Sequence, residues 1–384
     1  MDHSKFEKLR REQYPLTSRY AYLDTASTGM LATRTRHALV DYIEYRYENG
    51  LTLSEFGENW KHADEMRKTI AQVINADPEE IFYSDSTSGT LNVFSAGIEL
   101  PENANVVTSG QSFPSTIFNW KNRVGHDNVR IASPENAAMP SQKLFDLVDE
   151  NTAVIALCLV ENTTGFRYNL KEISDFCPER GIYLALDITQ CITGMKIDVK
   201  ETPVDFMAAA SYKWLGGLFG VGFGYVSKRV LDKVHPAYVG WTGVKDRRPA
   251  ADFSLTLSPN ANKFETGSPN WVGIRGMEQS MQIYLELGAD DVQEHILTLV
   301  DYLYSQAAAL EKVNIVGNFA PENRSGIVYL TIPSEWNITD ELMKEHGIRA
   351  HASNGPAGAS IRVALHFYNN KEDVDKFIAF LKTF

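Results

Sequence analysis

Three short apolar runs of the sequence end at polar residues that can do chemistry. The run 154–160 leads to Asn162, the run 183–186 to Asp187 and the run 206–210 to Lys213. In an open α/β sheet, ligands bind at the carboxyl ends of the strands. If these runs are neighbouring strands, an amide, a carboxylate and an amine lie together at the same edge of the sheet.

Lys213 lies in surroundings that favour a reactive amine. Ala208-Ala-Ala-Ser-Tyr precedes it and Trp214-Leu-Gly-Gly follows it. Burial among such residues lowers the pKa of an amine and makes it a nucleophile toward aldehydes. A lysine that only extends to solvent from a strand end is the alternative.

Asp187 supplies the second group that this chemistry requires. Taken alone, an aspartate at this point is more typical of a helix N-cap. Combined with Lys213, it suggests a cofactor, because pyridoxal 5'-phosphate (PLP) needs a lysine for a Schiff base and a carboxylate to keep its pyridine nitrogen protonated.

A phosphate site is the third requirement of that cofactor. The segment Ser86-Thr-Ser-Gly-Thr90 follows the apolar residues 81–83 and is predicted to open a helix. Hydroxyls and free backbone N–H groups at a helix N-terminus bind anions. An ordinary Ser/Thr N-cap is the alternative.

The order of the elements predicts an α/β fold with a doubly wound, mostly parallel sheet. Continuous apolar runs are typical of parallel strands that are covered on both faces. The predicted strands are 104–108, 154–160, 183–186, 206–210 and 223–226, and the predicted helices are 141–150, 170–180 and one that begins near residue 88.

The pattern changes after residue 273, which predicts a second, smaller α+β domain. A long helical stretch over 274–310 precedes a strand at 326–332 and a helix at 373–384. We therefore expect a large domain at 16–272 and a small C-terminal domain at 273–384, with residues 1–15 packed near the latter.

Composition limits the classes of function. The chain has 384 residues, with 37 Lys+Arg against 49 Asp+Glu and a net charge of −12, which disfavours binding to nucleic acid or to anionic lipid. No apolar stretch approaches the ~20 residues that span a bilayer. With 3 cysteines, a charged start and no histidines at metal-ligand spacing, we expect a cytoplasmic protein without a metal site.

Taken in order, these motifs resemble the class V aminotransferase family of fold-type I PLP enzymes, which includes cysteine desulfurases, isopenicillin N epimerase-like proteins, kynureninases and C–S lyases. The resemblance extends from Tyr22-Leu-Asp-Thr-Ala-Ser27 to Ile361-Arg-Val-Ala-Leu-His-Phe-Tyr-Asn-Asn370, and it is most specific over 187–190 and 205–217. It implies PLP as the cofactor and an amino acid as the substrate.

The resemblance assigns roles around the reacting atoms. Lys213 would form the internal aldimine and later move the α-proton of the substrate. Asp187 would pair with the pyridinium nitrogen. Gln190 would hydrogen-bond the phenolic oxygen of PLP, and Asn162 would lie near that oxygen and near the substrate carboxylate.

The resemblance also implies how the phosphate is held. Thr87, Ser88 and Ser211 would bind it within one subunit. Gly267 and Ser268, in Glu265-Thr-Gly-Ser-Pro-Asn270, would reach the phosphate of a neighbouring subunit. A homodimer with shared active sites follows from this assignment.

Three further positions match the family. Phe113 falls where the family places the ring that stacks on the cofactor, although a plain core aromatic is the alternative. Arg362 matches the arginine that binds the substrate α-carboxylate bidentately, and Ser27 accompanies it; a surface strand arginine is the alternative. Arg349 and His351 are either contacts of the substrate side chain or loop surface.

One departure from the family narrows the chemistry. Desulfurases need a nucleophilic cysteine shortly before the carboxylate-binding arginine, but residues 347–358 contain none. We therefore expect no persulfide-forming desulfurase. An aminotransferase acting through an external aldimine and α-carbanion ranks first, a C–S or C–C lyase second, and an epimerase or a non-catalytic PLP-binding protein lower.

Overall fold

The computed structural model describes residues 3–246, 254–355 and 358–384. The helices are α1 (His3–Gln13), α2 (Thr33–Asn49), α3 (Leu53–Ile74), α4 (Thr87–Gly97), α5 (Pro114–Val124), α6 (Ser141–Phe145), α7 (Leu170–Phe176), α8 (Lys228–Leu231), α9 (Trp271–Leu287), α10 (Ala289–Ala307), α11 (Asp340–Glu345) and α12 (Lys371–Leu381). The strands are β1 (Ala21–Tyr22), β2 (Ile81–Ser84), β3 (Asn105–Ser109), β4 (Val129–Ala132), β5 (Thr152–Cys158), β6 (Tyr183–Asp187), β7 (Phe206–Ala210), β8 (Gly222–Val226), β9 (Asn314–Ile315), β10 (Ile327–Ile332), β11 (Ile348–Arg349), β12 (His351–Gly355) and β13 (Gly358–Ala364).

The large sheet has 7 strands in the order β2-β8-β7-β6-β5-β3-β4. The strands from β7 to β4 are parallel to one another, as their apolar runs predicted. Strand β8 is antiparallel to both of its neighbours, which corrects the expectation that 223–226 is a parallel strand. Its glycines at 222 and 224 fit a strand packed closely between others.

The two faces of this sheet pack into separate cores. Ile155 and Leu157 belong to one apolar cluster, whereas Val154 and Ala156 belong to the other. Successive side chains of a strand point to opposite faces, so the alternation shows that both faces are covered. Cys158 therefore shares the face of Val154 and Ala156.

The C-terminal part contains a second sheet of 4 strands in the order β12-β13-β10-β9. The predicted strand at 326–332 is β10. Residues 348–364, predicted as a loop in their first half, instead form β11, β12 and β13, with residues 356 and 357 outside the described part. Strand β13 lies between β12 and β10 and carries Arg362.

Some predicted helix bounds are wrong. The stretch 274–310 is two helices rather than one, because Gly288 adopts a φ of +87° and separates α9 from α10. A residue with a side chain rarely adopts that backbone conformation. The helix predicted at 141–150 ends at Phe145, and the edge strand β4 was not predicted. No helix in the described ranges is long and apolar enough to cross a membrane.

A buried ion pair anchors the segment before α9. Arg67 of α3 donates to both carboxylate oxygens of Glu265, at 2.6 and 3.0 Å. The same carboxylate accepts from the backbone N–H of Tyr83 at 2.9 Å, and the Glu265 carbonyl accepts from Thr242. Since both charges are buried, removing one partner leaves the other without compensation.

We predict that Arg67→Met lowers the free energy of unfolding by about 3–5 kcal/mol, because the Glu265 carboxylate is then buried without a cation. The matched control is Lys61→Ala, which breaks the exposed pair with Glu58 and changes the free energy by less than about 1 kcal/mol. Urea unfolding of the three proteins measures both. Equal losses in the two variants would contradict the role given to Arg67.

Candidate functional site

A small cavity of about 90 Å³ lies where β5, β6 and β7 end. The residues that line it are Ser86, Thr87, Ser88, Phe113, Ser115, Cys158, Asn162, Asp187, Thr189, Gln190, Ala210, Tyr212 and Lys213. The structure therefore brings together most of the residues that the sequence predicted for one site.

Lys213 follows β7 in a tight turn. Its carbonyl accepts from the Gly216 N–H at 2.8 Å, and Gly29 packs so closely that a Cβ there would lie 1.9 Å from the same oxygen. The Lys213 Nζ lies 5.6 Å from the centroid of the Phe113 ring. Burial lowers the pKa of Lys213, the charge of Asp187 opposes this shift, and the charge of Arg362 adds to it.

Asp187 is the last residue of β6 and is 6% exposed. Its Oδ1 accepts from the backbone N–H of Thr189 at 2.9 Å. Burial raises the pKa of Asp187, while the hydrogen bonds from Thr189 and the charge of Lys213 lower it. A buried carboxylate that retains its charge needs such compensation.

The N-terminus of α4 borders the cavity with hydroxyl groups. The Ser86 side chain caps the helix by accepting from the Gly89 N–H at 3.1 Å. Thr87 Oγ1 lies 2.7 Å from Thr189 Oγ1, and Ser88 Oγ lies 2.6 Å from Ser115 Oγ. Because the first N–H groups of a helix have no partner within it, this end is suited to an anion.

Ser211 is not placed with these hydroxyls. Its side chain is fully buried and donates to the Leu218 carbonyl at 2.6 Å, and Ser211 is absent from the cavity wall. Ala210 lines the cavity instead, since successive residues at the end of a strand point in opposite directions. This corrects the assignment of Ser211 to the phosphate.

Gln190 and Asn162 line the cavity, and both side chains form hydrogen bonds with other residues. Gln190 Oε1 accepts from the indole N–H of Trp214 at 2.9 Å, and its Nε2 donates to the Ala26 carbonyl at 3.1 Å. Asn162 Nδ2 donates to Thr163 at 3.3 Å. The second proton of the Gln190 amide remains available to a ligand.

Arg362 reaches the same region from the small sheet. Its Nη1 donates to the Asn162 carbonyl at 2.9 Å and its Nη2 to Ser27 Oγ at 2.5 Å. Asp24 lies 3.5 Å from Nη2. The Arg362 Nε is buried and has no hydrogen-bond partner among the described residues, whereas each Nη retains a second N–H that can donate to a ligand.

Gly267 and Ser268 lie outside the cavity that Lys213 lines. They line a different cleft, together with Asp85, Gly89 and Asn92, and do not border the cavity of Lys213. Their predicted role in a neighbouring subunit therefore stays a prediction.

His351 lies beside Arg362 on β12 of the small sheet, whereas Arg349 lies on β11, which pairs with β1. His351 is the cross-strand partner of Arg362, and its Nδ1 is 3.4 Å from Asp340 Oδ2. The Arg349 guanidinium lies 4.8 Å from the centroid of the Tyr20 ring. Both are strand residues rather than loop residues, and a contact with the substrate stays a prediction for each.

Sequence reasoning missed some residues of the cavity wall. Thr189 lies two positions after Asp187, and Ser115 lies two positions after Phe113. Their closeness in sequence to predicted site residues could have indicated them. Cys158 was placed in a buried strand and given no role in the site, but it pairs in register with Asp187. Only the register of β5 against β6 reveals that contact.

Glu161 is a fully buried carboxyl group beside the site. Its Oε1 accepts from Tyr168 Oη at 2.7 Å and from Ser112 Oγ at 3.2 Å, while Oε2 has no partner among the described residues. Burial raises the pKa of Glu161 to about 7, although the hydrogen bonds from Tyr168 and Ser112 act in the opposite direction.

A family model described as aminotransferase class-V matches residues 21–377 of the chain. A probable cysteine desulfurase of Methanothermobacter thermautotrophicus is 25% identical over 386 residues, which cover 96% of this chain and 95% of the relative.

Two solved structures of the protein C-DES show the same fold. A lysine mutant with glycine covalently linked to the PLP cofactor superimposes with a TM-score of 0.87 at 20% identity, over 97% of this chain and 99% of that one. The cystine C–S lyase C-DES in complex with its product, cysteine persulfide, gives 0.87 at 20% identity over 97% and 100%. The chain thus has the α/β fold of the fold-type I PLP enzymes.

We predict that Glu161 makes stability depend on pH. Its pKa is raised in the folded chain from an ordinary value of 4.5 to about 7, so its stabilising contribution is present below pH 4.5 and is lost as the pH rises to about 7. The loss amounts to about 3 kcal/mol relative to Glu161→Gln, which does not titrate. Urea unfolding of both proteins across this range measures it, and parallel curves would contradict the prediction.

Proposed function

The chain belongs to the class V aminotransferase family, and from this we propose that it is a PLP-dependent enzyme that acts on an amino acid, with aminotransferase as the leading activity. The single observation that carries the proposal is the arrangement of Lys213, Asp187 and the N-terminus of α4 around one cavity, with Arg362 beside it.

The residues present fit the cofactor. Thr87 and Ser88, at the start of α4, would hold its phosphate, and Asp187 would face its ring nitrogen. Phe113 would lie against the ring, since its own ring is 43% exposed at the cavity wall. Gln190 would donate its remaining amide proton to the phenolic oxygen.

Lys213 is suited to accept and return a proton. When bound, PLP withdraws electrons from the α-carbon of an amino acid and so weakens its bonds. Burial lowers the pKa of Lys213. The unprotonated amine, with a free lone pair on Nζ, is therefore a larger fraction of Lys213 than of an exposed lysine. The charge of Asp187 opposes this shift and so preserves part of the basicity of Nζ.

Arg362 would hold the substrate α-carboxylate. Ser27 and the Asn162 carbonyl fix its Nη atoms, so the orientation of the guanidinium is set before the substrate arrives. The second N–H of each Nη atom then offers a charge-assisted hydrogen bond to a carboxylate oxygen. Asp24 partly balances the charge of Arg362 until then.

A C–S lyase is the second candidate, and the likeness to the fold of C-DES favours it. Both candidates need the same proton transfer at Lys213, so these residues do not distinguish them. The missing cysteine in 347–358 argues against a persulfide-forming desulfurase in either case.

We also propose a homodimer and a cytoplasmic setting. Gly267 and Ser268 lie outside their own chain's cavity wall, so they are free to serve the cavity of a second subunit. Exposed aromatic residues lie near this cleft, among them Phe219 at 66% and Tyr238 at 82% exposed. The 3 cysteines are unpaired, which supports a reducing compartment.

We predict that the purified protein takes up PLP with a visible absorption band that Lys213→Ala lacks. A panel of amino acids, each added without an acceptor, then separates the candidates. An aminotransferase converts the cofactor to its amino form in stoichiometric amount, whereas a lyase releases pyruvate or sulfide over many turnovers. Failure of the wild-type protein to bind PLP would contradict the proposal, as would inertness toward every amino acid.

Mixing two impaired variants tests the shared site. We predict that Lys213→Ala and Ser268→Asp, the latter repelling the phosphate, are each inactive as homodimers. A hybrid dimer contains one cavity with an intact Lys213 and an intact Ser268 from the other subunit. Refolding the two together should therefore restore activity, and a monomer, or no restoration, would contradict the shared site. Mixing Lys213→Ala with itself is the control.

A further inference from the structure

Cys158 lines the cavity, and the proposed function gives it no role. It ends β5, as Asp187 ends β6, and the two residues pair in register across the parallel strands. Residues directly opposite each other in a sheet share a face. The thiol and the carboxylate therefore lie side by side at the edge of the cavity.

The Cys158 sulfur has three polar neighbours. The backbone N–H of Phe113 donates to Sγ at 3.2 Å, and Thr116 Oγ1 lies 3.5 Å away. The thiol itself is within donating distance of Asp187 Oδ2, at 3.8 Å. The Phe113 N–H takes one lone pair of the sulfur, and the S–H proton can donate to Asp187 Oδ2.

The backbone of Cys158 is fixed as well. Its N–H donates to Ser112 Oγ at 3.2 Å, and Ser112 in turn donates to the buried Glu161. Cys158 is 2% exposed. The thiol thus has little freedom to move away from Asp187 or from Phe113.

The two oxygens of Asp187 have donors of unequal strength. Oδ1 accepts from the backbone N–H of Thr189, whereas the Cys158 thiol lies within donating distance of Oδ2. A thiol is a weak donor. It orients the carboxylate and still leaves Oδ2 able to accept from a stronger donor in the cavity.

We propose that Cys158 is a positioning residue, whose thiol orients the Asp187 carboxylate and whose sulfur holds the Phe113 backbone at the cofactor cavity. This proposal rests on the proposed function, which places Asp187 and Phe113 in contact with the cofactor. Serine cannot replace Cys158 in this role. Its C–O bond is shorter than the C–S bond of cysteine, so the serine hydroxyl would lie farther from Asp187 Oδ2, which the sulfur already approaches only to 3.8 Å.

The first test uses the protein without cofactor. Infrared spectra of the S–H stretching region are compared for wild type, Cys158→Ala and Asp187→Asn. The band lost in Cys158→Ala belongs to Cys158, and we expect it to move to higher frequency in Asp187→Asn, where a neutral acceptor replaces the charge. A band that does not respond to Asp187→Asn overturns the thiol–carboxylate contact.

The second test measures PLP affinity by equilibrium titration. Removing a partner behind a ligand-binding residue weakens metal sites by 10–100-fold, and we expect roughly tenfold weaker PLP binding in Cys158→Ala and in Cys158→Ser. Cys177→Ala is the matched control, since Cys177 is equally buried, at 1% exposed, but lies at the end of α7. We expect less than twofold there.

Unfolding separates positioning from packing. If Cys158→Ala and Cys177→Ala destabilise the cofactor-free protein alike, yet only the former weakens PLP binding, the positioning role is supported. Unchanged affinity in both Cys158 variants overturns it. A wild-type protein that binds no PLP contradicts the proposed function instead, and the infrared result still decides the contact.

Discussion

The burial of Asp187 is the constraint on which the rest of the site depends. A carboxylate that is 6% exposed is costly to keep charged, so its surroundings must compensate for the lost water. Thr189 donates to one oxygen and Cys158 approaches the other. Lys213 supplies the opposite charge, and the same burial that raises the pKa of Asp187 lowers the pKa of the lysine.

The parallel strands position this pair, and the small sheet completes the site. Asp187 and Lys213 come from adjacent strands whose carboxyl ends meet at one edge of the sheet, where α/β proteins bind ligands. Arg362 comes from β13, far along the chain, and is held there through Asn162 and Ser27. A cation from the second sheet therefore contacts Asn162, a residue of the cavity wall that the first sheet builds.

The sequence predicted most of the sheet and the main site residues, because apolar runs that end in polar residues are local signals. Lys213 and Asp187 were predicted in this way to lie together, and the structure places both at one cavity. Ser211 was misassigned, since the direction of a side chain at a strand end depends on the register of the sheet and on the Leu218 carbonyl. Cys158 was missed for a similar reason, as its contact crosses two strands. Gly288 divides a helical stretch through a backbone angle that its apolar pattern does not reveal.

The most direct test of this account is to identify the lysine that carries the cofactor. Borohydride reduction of the protein with PLP fixes the cofactor to the amine that binds it, and peptide mapping then locates the modified residue. The account predicts stoichiometric modification of Lys213 and its loss in Lys213→Arg. Modification spread over other lysines, or none at Lys213, would contradict it.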